Sequence, residues 1–122
     1  MRIETRNPPR RYKVGSTEIS DCAAIELAAD EQITFKTAGR DGYDVARKDW
    51  GWYATPSLNG RLAAHGLRAV LAQNDAGRAF LLLVDAGCEA AFEAYLAAEK
   101  MRVVAWLDSD QGIAALMAKT GN

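Results

Sequence analysis

The chain has few of the residues that build metal and redox centres. It contains one histidine, and its two cysteines, Cys22 and Cys88, form no Cys-x-x-Cys pair. Zinc and thiol redox sites usually gather such residues at short spacing. We therefore expect no metal and no cofactor, and we expect both thiols to be buried as small core residues.

Long apolar runs are also missing. No window approaches the roughly 18 continuous apolar residues of a membrane span, and the charged N-terminus has no apolar segment typical of a secretion signal. These absences predict a protein without membrane association, and we expect it to be cytoplasmic and bacterial.

Neither sign of charge dominates, since 15 Lys and Arg residues face 16 Asp and Glu residues. Proteins devoted to nucleic acids usually carry a clear excess of cations, so we expect no nucleic-acid partner. The sequence also has no Gly-x-Ser-x-Gly, Walker, dinucleotide-binding or His-Glu-x-x-His motif. No enzyme class is indicated by a signature.

The size and composition that are present are typical of one globular domain. The chain has 122 residues, of which 49% are apolar and 25% are charged. Residues 1–15 differ from the rest because they are rich in Arg and contain two adjacent prolines. We predict a basic extended arm over 1–15, which is either a solvated tail or a segment that orders on a partner protein or an anionic surface. We also predict a single α+β domain over 16–122.

Alternating apolar residues predict the strands. The pattern over 23–28 and 32–37 predicts an N-terminal hairpin, and the pattern over 43–50 predicts the next strand. A second hairpin is predicted from 67–73 and 78–85, whose second strand is apolar on both faces and should therefore be central and covered. Residues 102–107 give the last predicted strand.

Three helices are predicted from capping signals and apolar spacing. Thr55-Pro56 resembles the start of a short helix that ends at Gly66, residues 88–100 have clear helical spacing, and a capping box at 108–111 opens a final helix. That final helix has an apolar stripe of Ile113, Leu116 and Met117, which either covers the sheet or docks onto a second chain.

Together these elements predict an α+β fold with a mainly antiparallel sheet of five to seven strands and two or three helices. The order strand, helix, strand, strand, helix, strand over residues 43–107 resembles the ferredoxin-like βαββαβ arrangement. That topology occupies both edges of its first strand, so the N-terminal hairpin would have to join elsewhere. The resemblance rests on element order and implies no function.

The segment 47–62 concentrates the side chains that recognise ligands. We predict that it forms a binding site, in which backbone N–H groups at the start of the Thr55 helix and nearby cations hold an anionic group while an aromatic ring stacks beside it. The predicted site residues are Arg47, Lys48, Trp50, Trp52, Tyr53, Thr55, Ser57, Asn59 and Arg61.

Several alternatives remain at this stage. The rings could be core residues, and Arg47 could pair with Asp49 unless a bulge near Gly51 turns the strand. We expect a binding or accessory domain for an anionic small molecule or a protein partner. One alternative is a small enzyme that uses Asp49 or His65 as its acid-base group, and another is a homodimeric structural protein. His65 is expected to cap its helix rather than to catalyse.

Overall fold

The structure is a computed structural model that describes residues 1–120, without the side chains of Asp41 and Thr120. It confirms the α+β class, with eight strands in three antiparallel sheets and three helices among these residues. The chain divides into two compact units. Unit 1 contains Met1–Ile33 and Val45–Ala54, and unit 2 contains Thr34–Asp44 and the chain from Thr55 onward.

The elements follow one another as β1 Arg2–Val14, β2 Thr17–Glu26, β3 Gln32–Thr37, β4 Arg40–Lys48, β5 Gly51–Tyr53, α1 Arg61–Ala64, β6 Leu67–Asn74, β7 Ala79–Asp85, α2 Glu89–Ala98, β8 Met101–Trp106 and α3 Asp110–Thr120. None of the helices within residues 1–120 has both the length and the apolar character that crossing a bilayer takes.

The first two strands form a long two-stranded ribbon in unit 1. Residues 2–14, most of the predicted basic arm, make up β1 and pair antiparallel with β2. The predicted pairing of 23–28 with 32–37 is therefore wrong, although both segments are extended. Local alternation identified the strands, but the choice of partner depends on contacts between distant residues, which alternation does not encode.

The second sheet has the order β3-β4-β5. β3 and β4 are joined by a tight turn in which Ala38 and Gly39 both have positive φ. The strand predicted over 43–50 ends at Lys48, because Asp49 and Trp50 form a turn and Gly51 begins β5. Gly51 has φ of +148°, a value that residues with a side chain rarely adopt. Strand β5 was not predicted.

The third sheet, β7-β6-β8, lies in unit 2 and confirms the hairpin predicted from 67–73 and 78–85. The expectation that β7 is central is wrong, because β6 is the middle strand and the exposed side chains of Phe80 and Leu81 lie on the β7 edge. β6 contributes Val70, Ala69 and Ala72 to the fully buried residues of the core.

The core of unit 2 forms where α1 packs against β6. Leu62 in α1 is fully buried beside Leu67 and Ala69 of β6. Around this cluster lie the partly buried side chains of Tyr43, Leu58, Leu83 and Leu107. α1 therefore serves mainly to insert one leucine into the sheet, although it has only four residues.

The strand order differs from the ferredoxin-like arrangement that the element order resembles. β4 belongs to the sheet with β3 and β5, so it does not join β6, β7 and β8. The predicted start of the first helix at Thr55-Pro56 is also wrong, since α1 begins only at Arg61, although the helix ends just before Gly66 as expected. α2 and α3 confirm the other two predicted helices.

Candidate functional site

The nine predicted site residues divide between the two units, and each group is described by itself. Unit 1 holds five of them on or next to the β4–β5 hairpin. Unit 2 holds the other four in and before α1. The first group is Arg47, Lys48, Trp50, Trp52 and Tyr53, and the second is Thr55, Ser57, Asn59 and Arg61.

The backbone of the β4–β5 hairpin sets the positions of the first group. Arg47 lies opposite Trp52 and Lys48 lies opposite Gly51, with Asp49 and Trp50 between them in the turn. Residues directly opposite each other in an antiparallel pair share a face of the sheet. Arg47 and Trp52 therefore point to one side, and Trp50 projects at the end of the hairpin. Tyr53 follows Trp52 in β5 and therefore points to the opposite face. We call Arg47, Trp50 and Trp52 the hairpin surface.

The two indoles of the hairpin surface and the ring of Tyr53 are all open to solvent. Trp50 is 69% exposed, Trp52 is 50% exposed and Tyr53 is 49% exposed. The interpretation of these rings as core residues is therefore wrong. Aromatic side chains gain several kcal/mol of favourable free energy, roughly 2–4, when they are buried, so three exposed rings in four residues are unusual.

Arg47 is held against this surface by two contacts. Its guanidinium lies 5.0 Å from the centroid of the Trp52 ring, within the range of a cation–π interaction. Its Nη1 donates a hydrogen bond of 2.8 Å to the carbonyl of Gly51. Neither alternative for Arg47 was correct, because the turn at Asp49 and Trp50 replaces both an Arg47–Asp49 pair and a bulge.

The loop before β3 braces the other side of the hairpin. The amide of Asp30 donates to the carbonyl of Arg47 at 2.6 Å, and the amide of Arg47 donates to the carbonyl of Glu31 at 3.0 Å. The side chain of Lys48 pairs with the Asp30 carboxylate. This hydrogen bond and the charge of Asp30 raise the pKa of Lys48. Lys48 therefore anchors the hairpin, and its charge is already balanced.

Arg61, the last residue of the second group, pairs with a buried carboxylate in unit 2. Asp44 in β4 has a side chain that is only 7% exposed. One of its oxygens accepts from Arg61, and the other accepts from the Thr34 hydroxyl at 2.8 Å. The Arg61 side chain is 59% exposed, so the buried carboxylate of Asp44 pairs with a cation that is still largely in contact with solvent. No local sequence pattern indicates this pair, because its members lie 17 residues apart.

The rest of the second group stabilises the chain around α1. The Ser57 hydroxyl accepts from the backbone N–H of Arg61 at 2.8 Å, and Asn59 donates to Asp110 at 2.7 Å. Thr55 is half-buried and lies six residues before the first residue of the helix, Arg61. The predicted anion site needs a helix that begins near Thr55, and no helix begins there. α1 is a single turn whose N-cap residue is Gly60.

The two proposed acid-base groups lie in different surroundings. Asp49 is exposed in the β4–β5 turn. His65 is the C-cap residue of α1, as expected, and its Nδ1 lies 3.1 Å from the carbonyl of Gly42. The two cysteines are both exposed, so the expectation that they are buried thiols is wrong. In the described part of the chain, no three potential metal ligands come together.

Sequence reasoning missed a charged cluster around Arg68 in the middle strand of the third sheet. Arg68 donates from Nε to Asp108 at 2.7 Å and from Nη1 to Glu89 at 3.4 Å. Its guanidinium also lies 4.0 Å from the centroid of Trp106. The hydrogen bond to Asp108 is the main cause of the raised pKa of Arg68. The contacts span 21 to 40 residues, so no spacing pattern indicated them.

Comparison of the chain with models of protein families, with curated proteins and with solved structures gives no match.

Proposed function

We propose that this protein is a small binding or accessory module that recognises a partner protein through the hairpin surface. One observation supports the proposal above the others. Trp50 is 69% exposed and Trp52 is 50% exposed, and they lie within three residues at the end of one hairpin, beside Arg47. Contiguous apolar rings that are exposed to solvent often mark an interaction surface.

The composition of the hairpin surface fits a protein interface. Trp, Tyr and Arg are the residues that most often carry the binding energy of such interfaces. Arg47 donates to a backbone carbonyl, so its charge is not neutralised by that hydrogen bond and its remaining N–H groups can meet a carboxylate. The preferred partner surface therefore combines an acidic group with an apolar or planar one.

The brace behind the hairpin limits the entropy that binding would cost. Two backbone hydrogen bonds hold Arg47 against the loop at Asp30 and Glu31, and the Lys48–Asp30 ion pair adds a side-chain contact. Side chains that are ordered before binding lose less freedom on association, by about 0.5–1.5 kcal/mol for each one.

A protein partner is favoured over an anionic small molecule by the shape of the site. Small ligands usually bind in concave pockets, whereas a two-residue turn presents its side chains outward. The same geometry favours a binding module over an enzyme that uses Asp49 or His65. Asp49 is exposed in the turn, and the His65 ring is within hydrogen-bond reach of a backbone carbonyl.

Quantitative affinity capture tests the proposal. The immobilised wild-type protein is compared with Trp50→Ala, Arg47→Ala and the control Tyr95→Ala, which removes a similarly exposed ring from α2. We expect one set of captured proteins to fall at least tenfold with the first two variants and to be unchanged with the control. The proposed function would lose its support if the amount of captured protein fell equally in all three variants, or if it did not change in Trp50→Ala and Arg47→Ala.

A small-molecule screen separates the remaining alternative. Thermal-shift measurements with nucleotides, sugar phosphates and carboxylates should leave the melting temperature unchanged. A stabilising ligand whose effect disappears in Arg47→Ala would assign the hairpin surface to an anionic small molecule instead of a protein.

A further inference from the structure

The ribbon formed by β1 and β2 has two free edges that differ in their protection. Within residues 1–120 it is a two-stranded sheet, so each strand has one edge without a strand partner. Free edges are templates for pairing with another chain, and proteins protect them with proline, bulges and charge. When one edge is protected and the other is not, the unprotected edge is the one that can pair with another strand.

The β1 edge is protected in all three ways. Pro8 and Pro9 remove two backbone donors from its middle. The pairing with β2 jumps from Thr5 to Arg10, so the strand bulges at the same place. Its side chains also include five cations, Arg2, Arg6, Arg10, Arg11 and Lys13.

The β2 edge has neither proline nor a bulge, although its side chains include three acids, Glu18, Asp21 and Glu26. Its ten residues, Thr17–Glu26, contain no proline or glycine, and the register along it has no inserted residue. The middle of the strand consists of small side chains, Ser20, Cys22, Ala23 and Ala24, apart from Asp21. An edge of this length without proline, glycine or an inserted residue is the type that accepts another strand.

We infer that the β2 edge pairs antiparallel with the β2 edge of a second copy of this chain, which joins two ribbons into a four-stranded sheet. An isolated two-stranded ribbon is only marginally stable in water, whereas three or more strands with an apolar face can be stable. Pairing over ten residues forms about ten inter-strand hydrogen bonds, which is the number that a typical protein interface contains.

The charges of the ribbon favour a second copy over a nucleic acid. The five cations of β1 are opposed by four acids in the ribbon, Glu4, Glu18, Asp21 and Glu26. Asp21 accepts from Arg6 and Arg10, each at 2.9 Å, and Glu18 lies 3.7 Å from Arg11. The ribbon is therefore nearly neutral, and a polyanion would gain little from it.

Side-chain parity selects the register of the symmetric pair. A two-fold axis perpendicular to the sheet leaves each side chain on the same face of the sheet in both copies. Because side chains alternate between the two faces along a strand, residues that lie opposite each other must both be odd-numbered or both be even-numbered. An axis at Asp21 would set two carboxylates against each other, which is destabilising. An axis at Cys22 instead sets Ile19 against Ile25 of the second copy, and both lie on the face that carries Tyr12 and Ile3.

The register with the two-fold axis at Cys22 has one unfavourable contact at each end of the paired strands. It brings Glu18 near Glu26 of the second copy, at exposed positions that Arg11 and Arg2 flank within each ribbon. It also brings the two Cys22 thiols together on the axis. Cα atoms of directly opposed residues are about 4.5–5.5 Å apart, which matches the separation that a disulfide needs.

The native cysteines provide the first test. Mild oxidation of the full chain should give a covalent dimer that survives in Cys88→Ser and disappears in Cys22→Ser. Both thiols are exposed, so Cys88→Ser is a matched control. In reducing conditions, the solution mass should be twice the 13.2 kDa of one chain for the wild-type protein and for both serine variants.

Charge reversal on the axis supplies the second test. Cys22 lies opposite the bulge of β1 and has no residue paired with it, so Cys22→Glu and Cys22→Lys should fold. Each variant alone should dimerise at least tenfold more weakly than the wild-type protein, and an equimolar mixture should recover the dimer. The inference is overturned if the wild-type protein is monomeric at high concentration, or if Cys22→Glu dimerises as tightly as Cys22→Ser. Neither result would touch the proposed function of the hairpin surface, which rests on different residues.

Discussion

Replacement of Arg61 by alanine should destabilise unit 2, because Arg61 satisfies the buried Asp44 carboxylate. Each oxygen of Asp44 has one donor, Thr34 for one and Arg61 for the other. Arg61→Ala leaves the second oxygen without its donor inside a side chain that is only 7% exposed. A hydrogen bond to a charged group contributes about 1.5–3 kcal/mol. Arg61 itself is 59% exposed, so solvent screens the pair and places the expected loss at roughly 2 kcal/mol.

The assay is chemical or thermal unfolding combined with a double-mutant cycle. A loss of about 2 kcal/mol in a domain of this size lowers the melting temperature by roughly 8 °C. Asp44→Asn should also destabilise the protein, and adding Arg61→Ala to Asp44→Asn should cost much less than it costs in the wild-type background. A melting temperature within about 1 °C of the wild-type value for Arg61→Ala would refute the reasoning. Full additivity of the two changes would refute it as well.

Three further predictions concern the core, the charged cluster and the exposed indoles. Leu62→Ala should lower the free energy of unfolding by about 3 kcal/mol in urea, whereas Leu81→Ala at the exposed β7 edge should cost less than about 1 kcal/mol. Backbone hydrogen bonds from Glu89 itself and from Gly87 lower the pKa of Glu89 below its ordinary value of 4.5. Its contribution to stability is therefore complete above pH 4.5 and is lost as the pH falls towards the folded pKa, so Glu89→Gln should make acid unfolding less steep. A Glu89 pKa at or above 4.5 by NMR would contradict this. In Trp106→Phe, the two remaining indoles should be readily quenched by acrylamide, and strong protection from quenching would show that they are buried.

Most of the strands and the β6–β7 hairpin were predicted, but the strands β1 and β5 and the partner of β3 were not. Residues 32–37 alternate clearly and form β3, yet the same alternation gave no reason to pair them with β4 instead of with 23–28. The central position predicted for β7 failed for a related reason. An apolar strand is favoured in the middle of a sheet, and β6 also has apolar side chains. Leu67 and Ala69 of β6 pack against Leu62, so β6 and not β7 takes the middle position.

Local signals for the start of a helix also proved weaker than the surrounding packing. Thr55-Pro56 has the composition of a helix start, but the chain becomes helical only at Arg61, where Leu62 enters the core. The hydroxyl of Ser57 then accepts from the first helical N–H instead of the Thr55 hydroxyl. Helix propensity is a small term, and burial of one leucine outweighs it.

The candidate site was predicted in part. The concentration of rings in residues 50–53 was visible in the sequence, and the structure places all three in solvent, with Trp52 beside Arg47. The roles of Lys48 and Arg61 could not be foreseen, because their carboxylate partners Asp30 and Asp44 lie 17 or 18 residues away.

Site-specific photo-crosslinking at position 50 tests the central claim most directly. A photoreactive phenylalanine analogue in place of Trp50 is irradiated in living cells, and the same analogue in place of the exposed Tyr95 serves as the control. We expect a discrete covalent product with a partner protein from position 50, which is absent from position 95 and is lost when Arg47→Ala is added. No product from position 50, or the same products from both positions, would contradict the assignment of the hairpin surface as the recognition site.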